Sequence, residues 1–137
     1  VGQMPSLCSM AQYCGCSLAI EHNGDAYCCD HFVFPEHRIG NIMETGLSEM
    51  AKSDKQLFFE QRKADTLSQQ CKACPYLKAC GGDCPKNRFV KNADGEYISC
   101  LCQGSQIFFN HTRKHFEFMA NEYKNQRPPA NIMKVKL

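Results

Sequence analysis

Four cysteines fall within fourteen residues of the stretch CKACPYLKACGGDC, at Cys71, Cys74, Cys80 and Cys84. Thiolates spaced in this way are soft ligands, suited to zinc or to an iron–sulfur cluster. Seven more cysteines accompany them, and six of the eleven form tight pairs: Cys14 with Cys16, Cys28 with Cys29, and Cys100 with Cys102. Neighbours in extended chain point to opposite faces, so Cys28 and Cys29 are poorly placed to serve one ion. One ligand from each pair, with the remaining five, makes eight thiolates, enough for two four-sulfur sites. Zinc sites usually draw on C-x2-C knuckles, and only Cys71 and Cys74 form one. The wider gaps suit a cubane cluster, and Gly81-Gly82 would let backbone N–H groups approach its sulfides. Zinc stays the alternative.

Several elements must position these sulfurs. Residues 17–28, SLAIEHNGDAYC, predict a β-hairpin turning at Asn23-Gly24. Residues 39–63 carry Leu47, Met50, Leu57 and Phe58 among charged positions and predict two short helices broken near Ser53-Asp54, with Asp54 as N-cap of the second. The cysteine-dense loop follows at 71–84, then a turn and short strand in DGEYI at 94–98. Phe108, Thr112, Phe116, Met119 and Tyr123 recur at helical spacing and predict a long helix from about Ser105 to Lys124, its apolar stripe packed in a core. Pro128-Pro129 ends it. The expected fold class is α+β: a small cysteine-rich metal-cluster domain over 1–127, with a β-hairpin, short helices and a long C-terminal helix, followed by a loose tail at 128–137.

Composition narrows the chemistry further. The 43% hydrophobic content of the 137 residues counts the 11 cysteines, and there is no Trp, so the core is lean and needs cross-links or metal. Secreted disulfide scaffolds share this cysteine density, but they favour even counts, short chains and a signal peptide. An odd count and a cysteine-free gap from 29 to 71 favour thiolate–metal chemistry in a reducing, cytoplasmic compartment. A net charge of +2 does not suggest a nucleic-acid surface. No apolar run approaches the roughly 18–20 residues of a membrane span, so no membrane partner is expected. The start at Val1, without an initiator methionine, suggests a piece of a longer protein.

The pattern Cys14-x9-Gly24-x4-Cys29, Cys71-x2-Cys74-x5-Cys80-x3-Cys84 and then Cys102 resembles the seven-cysteine SPASM motif. That motif marks the auxiliary-cluster domain of radical S-adenosylmethionine enzymes that modify peptides and proteins. Cys8 precedes it as an extra cysteine does in the anaerobic sulfatase-maturating enzymes. The resemblance implies two [4Fe-4S] clusters, the first held by Cys8, Cys14, Cys29 and Cys84, the second by Cys71, Cys74, Cys80 and Cys102. Cys84 would thus leave its own run to complete the other site. Cys16, Cys28 and Cys100 match no ligand position. The resemblance further implies that Asp30, just after Cys29, is the base acting on the substrate, with a structural aspartate ending the hairpin as the plainer reading. S-adenosylmethionine would be bound only by a missing N-terminal domain, because no C-x3-C-x2-C run exists here: after Cys80 and Cys84 the required position is Asn87.

The implied function is the auxiliary-cluster and substrate-binding domain of an oxidoreductase. It would convert a cysteine or serine of an unfolded sulfatase peptide to Cα-formylglycine and pass an electron toward an acceptor protein. This fragment alone would be inactive. The alternatives are another peptide-modifying SPASM enzyme and a zinc-stabilised interaction module. His111 and His115, four apart, lack the H-E-x-x-H pattern of a zinc protease. His31 would border the substrate cleft.

Overall fold

In the computed structural model, which describes residues 5–136, the hairpin is formed by β1 (Ala19–Ile20) and β2 (Asp25–Tyr27), paired antiparallel. The Gly24 N–H donates to Glu21 O, the Glu21 N–H to Asp25 O, and Gly24 takes the left-handed conformation at φ +85°. Only the glycine of the Asn23-Gly24 pair has a positive φ, so this is a longer loop than the two-residue turn its sequence suggests.

A third strand, β3 (Arg38–Asn41), joins the other side of β2. Asp25 clamps it: its Oδ1 pairs with Arg38 Nη2 at 2.6 Å and accepts from Asn41 Nδ2 at 3.0 Å. Gly40 in β3 allows Met50 to pack, since a Cβ there would lie 2.7 Å from Met50 Sδ.

The two helices expected next are α1 (Leu47–Ala51) and α2 (Asp54–Asp65). The cap of α2 is Ser53 rather than Asp54: the Ser53 hydroxyl accepts from the Gln56 N–H at 3.3 Å, and Asp54 lies in the first turn. The cysteine-dense segment is not a plain loop. It holds two single-turn helices, α3 (Gln69–Lys72) and α4 (Leu77–Cys80), the first capped by the Ser68 hydroxyl. A second small sheet pairs β4 (Arg88–Lys91) with β5 (Tyr97–Ser99). Pro5–Cys100 forms one compact unit. Ala26, Cys28, Met50 and Phe59 are its buried apolar residues, joined by buried Gln56, Lys63, Ser68 and Ser99.

The second unit, from Leu101 onward, is built on α5 (Cys102–Lys124). The expected stripe along it is not buried: Phe108, Phe116 and Tyr123 are each at least half exposed. The segment expected as a loose tail forms a 3-10 helix at Pro129–Lys134. Buried Glu122 ties it down, accepting from Asn131 Nδ2 at 2.6 Å and pairing with Arg127 Nη2 at 2.7 Å. Residues 1–4 and the last residue of that tail lie outside the described residues. The architecture is α+β, with small antiparallel sheets, short helices and a long C-terminal helix. Among the described residues no helix is long and apolar enough to cross a membrane.

Candidate metal centre

Cys8, Cys14, Cys29 and Cys84 line one cavity of about 450 Å³, together with Asp30, His31 and Phe32. Separate devices bring in each sulfur. Cys8 and Cys14 lie on an irregular N-terminal segment held to α2, where the Cys14 N–H donates to Glu60 O. Cys29 follows β2 and is fixed by a bridge between Ser17 and Cys29. Its neighbour Cys28 is fully buried, so the vicinal pair divides as strand alternation requires: one thiol in the core, one at the cavity.

Cys84 follows three consecutive left-handed residues, Gly81, Gly82 and Asp83, at φ +61°, +74° and +60°. A Cβ on Gly81 would lie 2.4 Å from Met10 O, and one on Gly82 2.3 Å from Leu67 Cδ2. The glycines therefore answer first to close packing, of the N-terminal segment in one case and of Leu67 in the other. Asp83 is held in its uncommon conformation by Ser99 Oγ at 2.6 Å and Asn87 Nδ2 at 3.0 Å, both donating to Oδ2.

Cys71, Cys74 and Cys80 lie on α3, its C-terminal turn and α4, linked by the Cys74 N–H donating to Cys71 O. Cys102 opens α5, in the other unit, where the Gln106 side-chain N–H points at its sulfur from 3.8 Å. Cys16 and Cys100 are exposed thiols.

The donor set fits a polynuclear cluster. Four cysteines line one cavity, and thiolates are the usual ligands of iron–sulfur clusters. Burial raises the thiols of Cys14, Cys84 and Cys80 above their usual range. Burial, with the bond to Asp30 adding to it, pushes Cys29 up to about 12. A bound cationic iron would reverse that preference and hold the cysteines as thiolates.

Asp30 stands in a 3-10 turn, Asp30–Phe32, at the cavity's edge, with its side chain 75% exposed. The Cys29 thiol donates to its Oδ1 at 3.1 Å and holds the carboxyl below the usual carboxylate range. His31 Nδ1 lies 3.4 Å from Cys84 Sγ, and its Nε2 4.0 Å from Asp30 Oδ2.

Two cations, Lys63 and Arg88, bind the segments that carry Cys8 and Cys84, and sequence reasoning missed the first of them. Lys63 has no solvent exposure. Its Nζ donates to Cys8 O at 2.6 Å, Ser9 O at 2.8 Å and Ala11 O at 2.5 Å. Arg88 donates from Nε to Gly82 O at 2.9 Å, from Nη1 to Lys63 O at 2.8 Å and from Nη2 to Asp83 O at 3.1 Å. Burial tells against the Arg88 charge, while Cys71, Cys14, Asp83 and Cys84 favour it, so its guanidinium feels both groups of sulfurs. The signal for Lys63 was its place four positions after Phe59 and seven after Gln56 along α2, on the buried helical face. In QRKAD it reads instead as a solvated charge.

Comparison with known proteins gives this geometry its class. Residues 8–75 match the model of the SPASM iron–sulfur cluster-binding domain. Residues 8–75 are an iron–sulfur cluster-binding domain of the SPASM type. The chain is similar to anaerobic sulfatase-maturating enzymes. The chain is 48% identical over 136 residues to the serine-type enzyme of Bacteroides thetaiotaomicron, covering 98% of this chain and 33% of that one. It is 29% identical over 119 residues to the cysteine-type enzyme of Clostridium perfringens (strain 13 / Type A), covering 87% of this chain and 32% of that one. The solved structure of native anSMEcpe with bound AdoMet and Cp18Cys peptide superposes at a TM-score of 0.72 with 27% identity, over 86% of this chain and 32% of that one. The chain thus spans about a third of the length of the relatives it matches.

Proposed function

We propose that this chain is the auxiliary-cluster and substrate-binding domain of a radical S-adenosylmethionine enzyme that oxidises a sulfatase serine or cysteine to Cα-formylglycine. The observation that carries the reading is the single cavity bordered by Cys8, Cys14, Cys29 and Cys84 with Asp30 at its edge. Its support from relatives is the identity to maturating enzymes and the peptide bound in a structure of the same fold. Those four cysteines would hold one [4Fe-4S] cluster, and Cys71, Cys74, Cys80 and Cys102 a second. When bound, the clusters would supply one-electron acceptors, for delivery to an acceptor protein in a reducing cytoplasm. S-adenosylmethionine would be bound outside this chain.

The residues of this chain then have defined tasks. A serine CH2–OH becomes an aldehyde by losing a hydrogen atom, a proton and an electron. Asp30 takes the proton from the hydroxyl, or from the thiol of a cysteine target; its carboxylate stands exposed at the edge of the cavity. His31, beside both Asp30 and Cys84, borders the same approach. The higher identity to the serine-type relative favours serine as the target.

The test uses the full-length enzyme with serine and cysteine forms of one sulfatase peptide. Asp30→Asn should lower peptide oxidation by about 10²- to 10⁴-fold, the usual worth of a general base, with iron content unchanged. Undiminished oxidation by an iron-replete variant would remove Asp30 from the mechanism.

A further inference from the structure

Lys63 is a buried cation with no role in the proton transfer. Three carbonyl oxygens, those of Cys8, Ser9 and Ala11, surround its Nζ. Carbonyls only accept, so meeting all three takes three N–H donors, which an ammonium has and a neutral amine lacks. The three oxygens belong to the segment that carries Cys8 toward the cavity. Arg88 holds the carbonyl of Lys63 itself and those of Gly82 and Asp83, the two residues before Cys84. Two guanidinium or ammonium groups thus join α2 to the segments that bear Cys8 and Cys84, which are remote in sequence. An ammonium taken out of water is tolerated only where its donors are met, so the arrangement is specific to this backbone path.

We infer that Lys63 is a positioning residue for the first cluster: it fixes the Cys8–Ala11 segment, and its buried charge raises that cluster's reduction potential. The inference rests on the assignment of Cys8, Cys14, Cys29 and Cys84 as ligands. A fixed positive charge in a poorly hydrated site favours the more negative, reduced form.

The experiment uses the full-length enzyme, titrated anaerobically with dithionite as electron donor and followed by electron paramagnetic resonance. The first cluster's signal is identified as the one lost in Cys8→Ala. Lys63→Gln keeps a short amide donor and removes the charge. It should retain iron and make reduction of that cluster at least about tenfold less favourable, a downward shift of about 59 mV for one electron. Lys63→Arg, which keeps the charge, should stay near the parent value. Lys63→Met, which removes charge and donors, should lose about four irons per chain. An iron-replete Lys63→Gln with an unshifted potential overturns the inference, as does a Lys63→Arg shifted as far as Lys63→Gln. Should Lys63→Met fail to fold, the Gln and Arg variants decide. A parent enzyme whose iron is unaffected by Cys8→Ala would instead defeat the ligand assignment, a failure distinct from that of Lys63.

Discussion

Cys84 shows how one residue can belong to a sequence run and to a different site. It follows Cys80 by four positions, yet the cavity it lines is shared with Cys8, Cys14 and Cys29. The left-handed turn at 81–83 separates it from α4 and directs it to the N-terminal segment. The proposed division of ligands makes a double-substitution test decisive. Cys14→Ala with Cys84→Ala should cost about four irons per chain, no more than either alone, if both serve one cluster. Cys80→Ala with Cys84→Ala should cost about eight. If that second pair also lost only four, the run would be a closed site. The pattern of ligand candidates was legible because thiolates have few uses at such spacings. Lys63 was not: a lysine's burial depends on three carbonyls contributed by a segment more than fifty residues away.

At the scale of elements, Asp25 holds the three-stranded sheet from which Cys29 emerges. Arg38 and Asn41 lower its carboxyl from 3.8 to about 2. A depressed folded-state value means the ionised form stabilises the fold. That contribution is complete above the unfolded value of about 4, fades as pH falls toward 2 and is gone below it. Asp25→Asn should therefore lower the melting temperature at pH 6, with the difference from the parent shrinking steadily from pH 4 to pH 2. A difference that stayed constant over that range would show that the ion pair is not its source. The hairpin and α2 were legible from turn residues and spacing, whereas β3 was not. Its sequence, Arg38-Ile-Gly-Asn41, is short, polar at both ends and interrupted by a glycine, and it pairs through partners supplied by β2. The stripe on α5 was read correctly as helical and wrongly as buried, since periodicity reports which residues share a face and not what covers it.

For the molecule as a whole, few apolar residues are fully buried in the Pro5–Cys100 unit, and its lowest-exposure positions include a lysine and a glutamine. A core so thin gains much of its stability from whatever binds the folded thiols. Prepared anaerobically with iron and sulfide, the chain should take up about eight irons and melt about 10 °C or more above its chelator-stripped form. Equal melting temperatures would mean that burial and hydrogen bonding suffice alone. The cavity also has a history in time. It is walled by residues 7–18, 29–32 and 84–85, so its last wall is synthesised 55 residues after Cys29. At about 5–20 residues per second, Cys8, Cys14 and Cys29 wait roughly 3–11 seconds for Cys84 to be made. For that interval the growing chain carries three of the cavity's four cysteines without the fourth, so a cluster held by all four would close only late in synthesis.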